Sequence, residues 1–277
     1  MQESITIPDI VQAKNQRKLT MLTAYDYPTA LLVDKCGLDM ALVGDSLAMA
    51  VLGLDDTMSV DMDIMIHHAK AVSRACKHSL VIGDMPFLSY QLSTEQAIHN
   101  AGRFLKEAGV DAVKLEGGEA ILPQVQGIIR AGIPVQGHLG LTPQSAGQVG
   151  GFKVQAKTAQ AAKKLIQDAQ ALEQAGCFSL VLEAIPAEIA AKVSSEISIP
   201  TVGIGAGADC DGQVLVFHDL VGLFEKFVPK FVKQYDNLSE SIQNALLKYK
   251  QEVEQGDFPD KKHSFAADKN ILQDLDK

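Results

Sequence analysis

The feature that most constrains this chain is a regular alternation of short apolar runs with longer amphipathic stretches, beginning near residue 19. Most of the short runs are apolar on both faces, which favours buried parallel strands over half-exposed antiparallel ones. The eight runs are LTMLTA (19–24), DMALVG (39–44), SLVIGD (79–84), DAVKLE (111–116), IPVQGH (133–138), FSLVLE (178–183), PTVGIG (200–205) and VLVFH (214–218). Eight strands with helices between them predict a single α/β domain, a closed (β/α)8 barrel of the TIM type.

The helical stretches have recognisable ends. Ser93 and Gln96 have the spacing of a capping box, and Gly109 is a typical C-terminal stop. A second helix is predicted to end at Gly176, and a third to begin at Pro186. An open doubly wound sheet is the alternative, but TAYDYPTA after the first strand lacks the Gly-rich phosphate turn of that fold.

Composition and charge exclude several classes of protein. The net charge of −9 and the lack of a polybasic run argue against a nucleic-acid partner or an anionic membrane surface. No secretory signal opens the sequence, and no apolar run approaches the roughly 20 residues that span a bilayer. The four cysteines lie far apart, as expected of buried thiols in a reducing compartment: Cys36, Cys76, Cys177 and Cys210. The protein is predicted to be cytoplasmic.

No linker or repeat divides the chain. Residues 1–277 are therefore predicted to form one barrel domain with an N-terminal capping segment. From about residue 235 the sequence reads as one amphipathic helix followed by a polar C-terminal tail.

Ionisable residues recur at the carboxyl ends of the predicted strands. A single Asp in such a place is more often a turn or helix-capping residue. Five consecutive strands that end this way are harder to explain structurally, because that end of a barrel is where active sites form. The residues are Asp45 and Ser46 after the second strand, Asp84 after the third, Lys114 and Glu116 at the fourth, His138 at the fifth and Glu183 at the sixth.

Three of these residues offer carboxylate oxygens only. Asp45, Asp84 and Glu116 favour a hard divalent ion such as Mg²⁺ that keeps several waters. His67 and His68 are the tempting nitrogen ligands. Neighbouring residues on a helix point in different directions, so we assign this pair to packing and the surface.

Three features remain open on residue chemistry alone. Lys114 shares a strand face with Glu116 and could pair with it structurally or bind a substrate carboxylate or oxo group. His138 could contact substrate or simply line the cavity. The glycine run GIGAG (203–207) could bind a phosphate or could form a tight turn that lets a bulky ligand approach.

At these residues the sequence resembles the ketopantoate hydroxymethyltransferase family. The resemblance runs in order from about residue 5 to residue 260 and is far more specific than any lone motif. The matching segments are MLTAYDYPTA, LVGDSLAMAVLG, VIGDMPF, AVKLEGG, PVQGHLGLTPQS, LVLEAIP and TVGIGAGADCDGQVLVFHDLVGL.

The resemblance implies a barrel of the phosphoenolpyruvate/pyruvate-like group and a Mg²⁺-dependent reaction. A one-carbon unit would pass from 5,10-methylenetetrahydrofolate to 3-methyl-2-oxobutanoate through a metal-stabilised enolate, giving 2-dehydropantoate and tetrahydrofolate on the route to pantothenate and coenzyme A.

The resemblance also implies roles for residues. Asp45 and Asp84 would hold the metal, with Glu116 completing the site directly or through water, and Glu183 would be the catalytic base. The oxo acid would be bound by Asp45, Ser46, Asp84 and Lys114. The family forms homo-oligomers, commonly decamers of two pentamers, and LFEKFVPKF (223–231) is an apolar stretch that neighbours could cover.

Two other functions compete. A lyase related to phosphonopyruvate or isocitrate lyases would share the barrel and a metal-bound oxo acid, but the K-x-C-G-H type loop of isocitrate lyases is absent from the sequence. A non-catalytic barrel that senses an oxo acid would bind ligand without turnover, and gives no reason to keep both a carboxylate cluster and a separate base.

Overall fold

The computed structural model describes residues 3–145, 153–224, 228–267 and 275. Eight parallel strands form a closed barrel in which each strand pairs with the next and β8 pairs with β1. The strands are β1 Leu19–Thr23, β2 Met40–Val43, β3 Leu80–Asp84, β4 Ala112–Glu116, β5 Val135–Gly140, β6 Ser179–Glu183, β7 Thr201–Ile204 and β8 Gly212–Leu215. The predicted (β/α)8 barrel is confirmed.

Helices surround this barrel. They are α1 Ile7–Gln12, α2 Tyr27–Lys35, α3 Leu47–Ala50, α4 Met62–Ala75, α5 Thr94–Arg103, α6 Leu122–Arg130, α7 Ala159–Ala175, α8 Ala187–Glu196, α9 Phe217–Leu220 and α10 Leu238–Gln255. A π-helical segment, Phe104–Ala108, directly continues α5, and short 3₁₀ turns occupy Glu119–Ile121 and Pro143–Ser145. Among the described residues, no helix is both long and apolar enough to cross a membrane.

Most predicted helix ends are confirmed. The Ser93 hydroxyl accepts a hydrogen bond from the Gln96 backbone N–H at 3.1 Å. Gly109 and Gly176 end their helices in the left-handed conformation, with φ of 72° and 102°. Pro186 is the N-cap residue of α8, which begins at Ala187, one position after the predicted start.

The last strand differs from the prediction. β8 begins at Gly212 and ends at Leu215, whereas the sequence suggested 214–218. Phe217 instead starts the short helix α9, and its backbone N–H donates to the Thr23 hydroxyl at 2.9 Å. A continuous apolar run does not distinguish a strand from the start of a buried helix, which accounts for the shift.

Two apolar cores lie inside and outside the strands. The inner core fills the barrel below the site, and α1 contributes Ile10, which is fully buried. The outer core packs the helices against the sheet. At the join between α5 and the π-helical segment, Phe104 lies so close to β3 that a Cβ on Gly83 would be 2.5 Å from its ring. This contact fixes the chain immediately before Asp84.

Candidate active site

A pocket of about 380 Å³ opens at the carboxyl ends of the strands. Its volume lies in the usual range for small-molecule sites, about 300–1,000 Å³. All seven residues that the sequence singled out line it: Asp45, Ser46, Asp84, Lys114, Glu116, His138 and Glu183. The predicted convergence of strand ends on one cavity is therefore confirmed.

Strand register sets which side chains are neighbours. Asp84 of β3 pairs with Lys114 of β4, and Glu116 pairs with His138 of β5. Since neighbouring strands lie about 4.8 Å apart, these side chains are brought within hydrogen-bonding reach. Lys114 and Glu116 are two residues apart and share the interior face, as predicted.

Lys114 is buried among acidic groups. Its Nζ lies 2.9 Å from Oδ1 of Asp84 and 3.7 Å from Oε1 of Glu116. Burial alone would lower the pKa of this lysine, but the surrounding carboxylates raise it above its ordinary value. Lys114 is therefore charged at neutral pH, and it partly compensates the carboxylates around it.

The carboxylates are not fully compensated. Burial, followed by the charges of Asp84 and Glu116, raises the pKa of Asp45 well above its ordinary value. Burial also raises the pKa of Asp84, although Lys114 opposes this. The Asp45 backbone N–H donates to Oδ2 of Asp84 at 3.1 Å, which joins the ends of β2 and β3. The cluster has a deficit of positive charge.

His138 lies between Glu116 and Glu183. Its Nδ1 is 3.3 Å from Oε1 of Glu116, and its Nε2 is 3.2 Å from Oε2 of Glu183, although the second contact is not aligned as a hydrogen bond. Burial and the Lys114 charge would lower the pKa of His138, but the two carboxylates raise it to about 9. Nδ1 also lies 3.1 Å from Lys114 Nζ and could accept from it only in a neutral ring. With carboxylates on both nitrogens, we assign the imidazolium.

Gln144, in the loop after β5, is a site residue that the sequence analysis missed. Its side-chain amide donates to Asp45 Oδ2 and to the Met85 carbonyl, both at 2.9 Å. Its backbone N–H donates to Glu116 Oε2 at 3.1 Å, and the Tyr90 hydroxyl donates to its Oε1 at 2.8 Å. One residue thus orients two carboxylates on different strands. Its only sequence signal is a position shortly after the fifth strand.

Two further groups lie in the segments that follow β1 and β8. The Tyr25 hydroxyl lies 2.8 Å from the Ser46 hydroxyl and orients it. Asp219 of α9 also lines the pocket and was not among the predicted site residues. His67 is exposed, and Nδ1 of His68 contacts the Tyr25 carbonyl at 2.6 Å, so the packing and surface assignment of this pair is confirmed.

The glycine run after β7 forms a tight turn. Gly205 and Gly207 have φ of 62° and 82°, which other residues adopt only with strain. A Cβ on Gly205 would lie 2.7 Å from the Phe231 ring, and one on Gly207 would lie 2.4 Å from Ala187. The tight turn is observed, and side chains of this chain, Phe231 and Ala187, lie directly against it.

The donor atoms of the cluster fit a hard divalent ion that keeps water. Asp84 Oδ1 and Glu116 Oε1 are buried, and their charged neighbours are Lys114 for the first and Lys114 and His138 for the second. Within the described ranges, however, no three His, Cys, Asp or Glu side chains converge closely enough to hold a metal on their own. Mg²⁺ usually binds through one or two carboxylates and completes its shell with water and substrate, so the arrangement fits it.

Solved structures share this architecture. A phosphonopyruvate hydrolase has a TM-score of 0.61 at 13% identity, over 97% of this chain and 94% of that one. A 2,3-dimethylmalate lyase of the PEP mutase/isocitrate lyase superfamily has a TM-score of 0.60 at 15% identity, over 94% and 89%. At such identities the likeness concerns the fold alone, and it agrees with a phosphoenolpyruvate/pyruvate-like barrel.

Sequence comparisons are more specific. The 3-methyl-2-oxobutanoate hydroxymethyltransferase of Syntrophobacter fumaroxidans is 63% identical over 266 residues, which cover 96% of this chain and 94% of the relative. The model of one protein family, described as ketopantoate hydroxymethyltransferase, matches residues 4–261. The chain therefore belongs to the ketopantoate hydroxymethyltransferase family and is a one-carbon transferase.

Proposed function

We propose that this enzyme moves the one-carbon unit of 5,10-methylenetetrahydrofolate to 3-methyl-2-oxobutanoate, with water supplying the hydroxyl oxygen. The products are 2-dehydropantoate and tetrahydrofolate, and the reaction is the committed step toward pantothenate and coenzyme A. Family membership supports the reaction type. The observation that carries the proposal is the presence in one pocket of an uncompensated carboxylate cluster and a separate carboxylate, Glu183.

The carboxylate cluster is the proposed Mg²⁺ site. Asp45 and Asp84 would hold the ion, and Glu116 would complete its shell directly or through water. When bound, the ion supplies Lewis-acid polarisation of the substrate's oxo group. The Lys114 ammonium and the Ser46 hydroxyl then bind the oxo acid, together with Asp45 and Asp84.

Glu183 is the proposed general base. It lies at the end of β6 and is half-buried, so its carboxylate borders the pocket. It removes the proton from C3 of the oxo acid, and the resulting enolate carbon bonds to the one-carbon unit. His138 is less suited to this task because its pKa of about 9 leaves it protonated at neutral pH. The imidazolium instead places a positive charge 3.2 Å from Glu183 Oε2.

The proposal also covers the oligomeric state and the cellular location of the enzyme. We propose that residues 1–277 act as one barrel domain in a cytoplasmic homodecamer. Helix α10 supports an assembly, since Ile242, Leu246 and Tyr249 on one of its faces are 44%, 62% and 57% exposed. In LFEKFVPKF, residues 225–227 lie outside the described residues, and Phe224 and Phe231 line the pocket of their own chain.

The first test is turnover of 3-methyl-2-oxobutanoate with methylenetetrahydrofolate, with and without Mg²⁺. We expect 2-dehydropantoate only when both the folate and the metal are supplied. Product formed without any folate or other one-carbon donor would contradict the proposal. If the protein were a sensor without catalytic activity, calorimetric titration would show binding of the oxo acid, but no product would form.

The second test isolates proton removal. In deuterated buffer with Mg²⁺, the C3 hydrogen of the oxo acid should exchange without folate, and proton NMR follows its loss. Glu183→Gln should slow this exchange by about 10²–10⁴-fold, the usual cost of losing a general base. Glu188→Gln, on the exposed face of α8, is the matched control and should exchange at the wild-type rate. Equal rates for the Glu183→Gln variant and the wild type would exclude Glu183 as the base.

A further inference from the structure

The pocket has two unlike halves. The ionisable cluster described above lies on the side of β2–β6, and it is sufficient for a small oxo acid. The other half is formed by β7, β8 and the segments that follow them, and it is largely apolar. Its walls include Ile204, Val214, Leu215, Phe224 and Phe231. A small branched oxo acid does not fill this apolar half, so the half is free for a second, flatter ligand.

Asp219 is the charged group of the apolar half. It is 9% exposed and lies on α9, which the Phe217–Thr23 hydrogen bond attaches to β1. No described residue donates a hydrogen bond to its carboxylate, and burial alone raises the pKa of Asp219 to about 6. Asp219 lines the pocket, so a ligand that displaces water from this carboxylate must supply hydrogen-bond donors in its place.

Asp219 is also close to the oxo-acid site. The Tyr25 ring lies 5.5 Å from the ring of His218, the residue directly before Asp219. Burial raises the pKa of Tyr25, and the negative charge of Asp219 adds to that rise. The Tyr25 hydroxyl in turn contacts Ser46. A ligand held by Asp219 would therefore lie next to the oxo acid, as a donor of a carbon atom must.

The chemistry of a reduced folate matches this half of the pocket. Its pterin has flat, largely apolar faces, and one edge carries two parallel donors, the ring N3–H and the 2-amino group. A carboxylate binds such a pair in the same two-point manner in which it binds an arginine fork. The far end of a folate carries glutamate carboxylates, and two exposed cations, Lys153 and Lys230, also line the pocket.

We propose that Asp219 is the pterin-binding residue, accepting hydrogen bonds from the N3–H and 2-amino groups of the folate. The apolar walls hold the ring, and Lys153 and Lys230 face the anionic glutamate tail. This inference rests on the proposed function, because it takes the one-carbon donor to be a folate. It adds a folate subsite formed by β8 and α9, on the side of the pocket away from the carboxylate cluster.

The variant test is Asp219→Asn, which keeps the size of the side chain but places a donor against the folate donors. We expect KM for methylenetetrahydrofolate to rise about 10–100-fold, the cost of a two-point charged hydrogen bond, with little change in kcat at saturating folate. Metal-dependent C3 exchange without folate should stay at the wild-type rate. Asp209→Asn, on the exposed β7–β8 loop, is the control and should leave KM unchanged.

A second test changes the ligand instead of the protein, so its main comparison does not depend on whether a variant folds. The wild-type enzyme should bind 2-desamino-tetrahydrofolate about 10–100-fold more weakly than tetrahydrofolate, while the Asp219→Asn variant should discriminate little between them. Equal binding of both folates by the wild type would overturn the Asp219 assignment, and so would a variant that loses kcat at an unchanged KM. Failure of the wild type to use any folate would instead reject the proposed function.

Discussion

Gln144 provides the sharpest test of how the carboxylate cluster is organised. We consider Gln144→Leu, which keeps a similar volume and removes both the amide donor and the amide acceptor. The variant loses the 2.9 Å bonds to Asp45 and to the Met85 carbonyl, and the bond that the Tyr90 hydroxyl donates. Asp45 is left free to take orientations that do not suit a metal.

The size of the effect follows from these contacts. An unpaired buried polar group costs about 1–3 kcal/mol. The Tyr90 hydroxyl keeps its contact with the Glu116 backbone, and water in the pocket can reach Asp45, so the Met85 carbonyl bears most of the cost. We expect the free energy of unfolding to fall by about 1–3 kcal/mol. Loss of a group that orients a metal ligand weakens metal binding by about 10–100-fold.

Calorimetric titration of Mg²⁺ in saturating oxo acid measures the affinity, and urea unfolding measures the stability. Gln136→Leu is a matched control, since Gln136 is also a fully buried barrel glutamine whose amide donates one bond, to Ser179 at 2.8 Å. The control should keep the wild-type Mg²⁺ affinity, and it should lose less stability because Gln136 Oε1 is already buried without a partner. The reasoning is refuted if Gln144→Leu binds Mg²⁺ as the wild type does, or if Gln136→Leu weakens the metal equally.

Three further predictions concern the metal, the pH and the assembly. Asp84→Asn should weaken Mg²⁺ binding in calorimetry, and full activity of the wild type in excess chelator would end the idea of a metal enzyme. In chelator, stability should fall as pH rises, because the folded state holds extra protons: on Asp219 between 3.8 and about 6, and on His138 between 6.5 and about 9. Urea melts across that range measure the slope, and a rise in stability with pH would contradict the assignment. Light scattering should show one closed oligomer rather than a monomer at micromolar concentration.

The sequence predicted the elements of the barrel and where its chemistry lies. The reason is geometrical, because the carboxyl ends of parallel strands meet at one rim, so a polar residue at the end of a strand or just beyond it can reach the pocket. Asp45, Asp84 and Glu183 follow this rule. To predict that Lys114 and Glu116 face the pocket, the two-residue alternation of side chains along a strand was needed in addition.

What the sequence could not predict depends on how loops fold back. Gln144 lies in a TPQS segment that reads as an ordinary turn, and its contacts with Asp45 and Met85 exist only because that turn covers the pocket. Asp219 directly follows the run predicted as the eighth strand (214–218), so the strand-end rule would have found it; in the structure it lies on the short helix α9 instead. The charge state of His138 depends on two carboxylates far away in sequence.

The π-helical segment after α5 has a consequence for the evolution of the metal site. Phe104, the first residue of that segment, fills the space that a side chain at position 83 would need, and position 83 directly precedes Asp84. An added side chain at 83 would overpack this contact unless the ring at 104 became smaller. The two positions should therefore vary together among homologues, with glycine opposite a large ring and a larger residue opposite a small one. The residue at the start of the π-helical segment and the backbone that positions Asp84 are thus expected to change together in evolution.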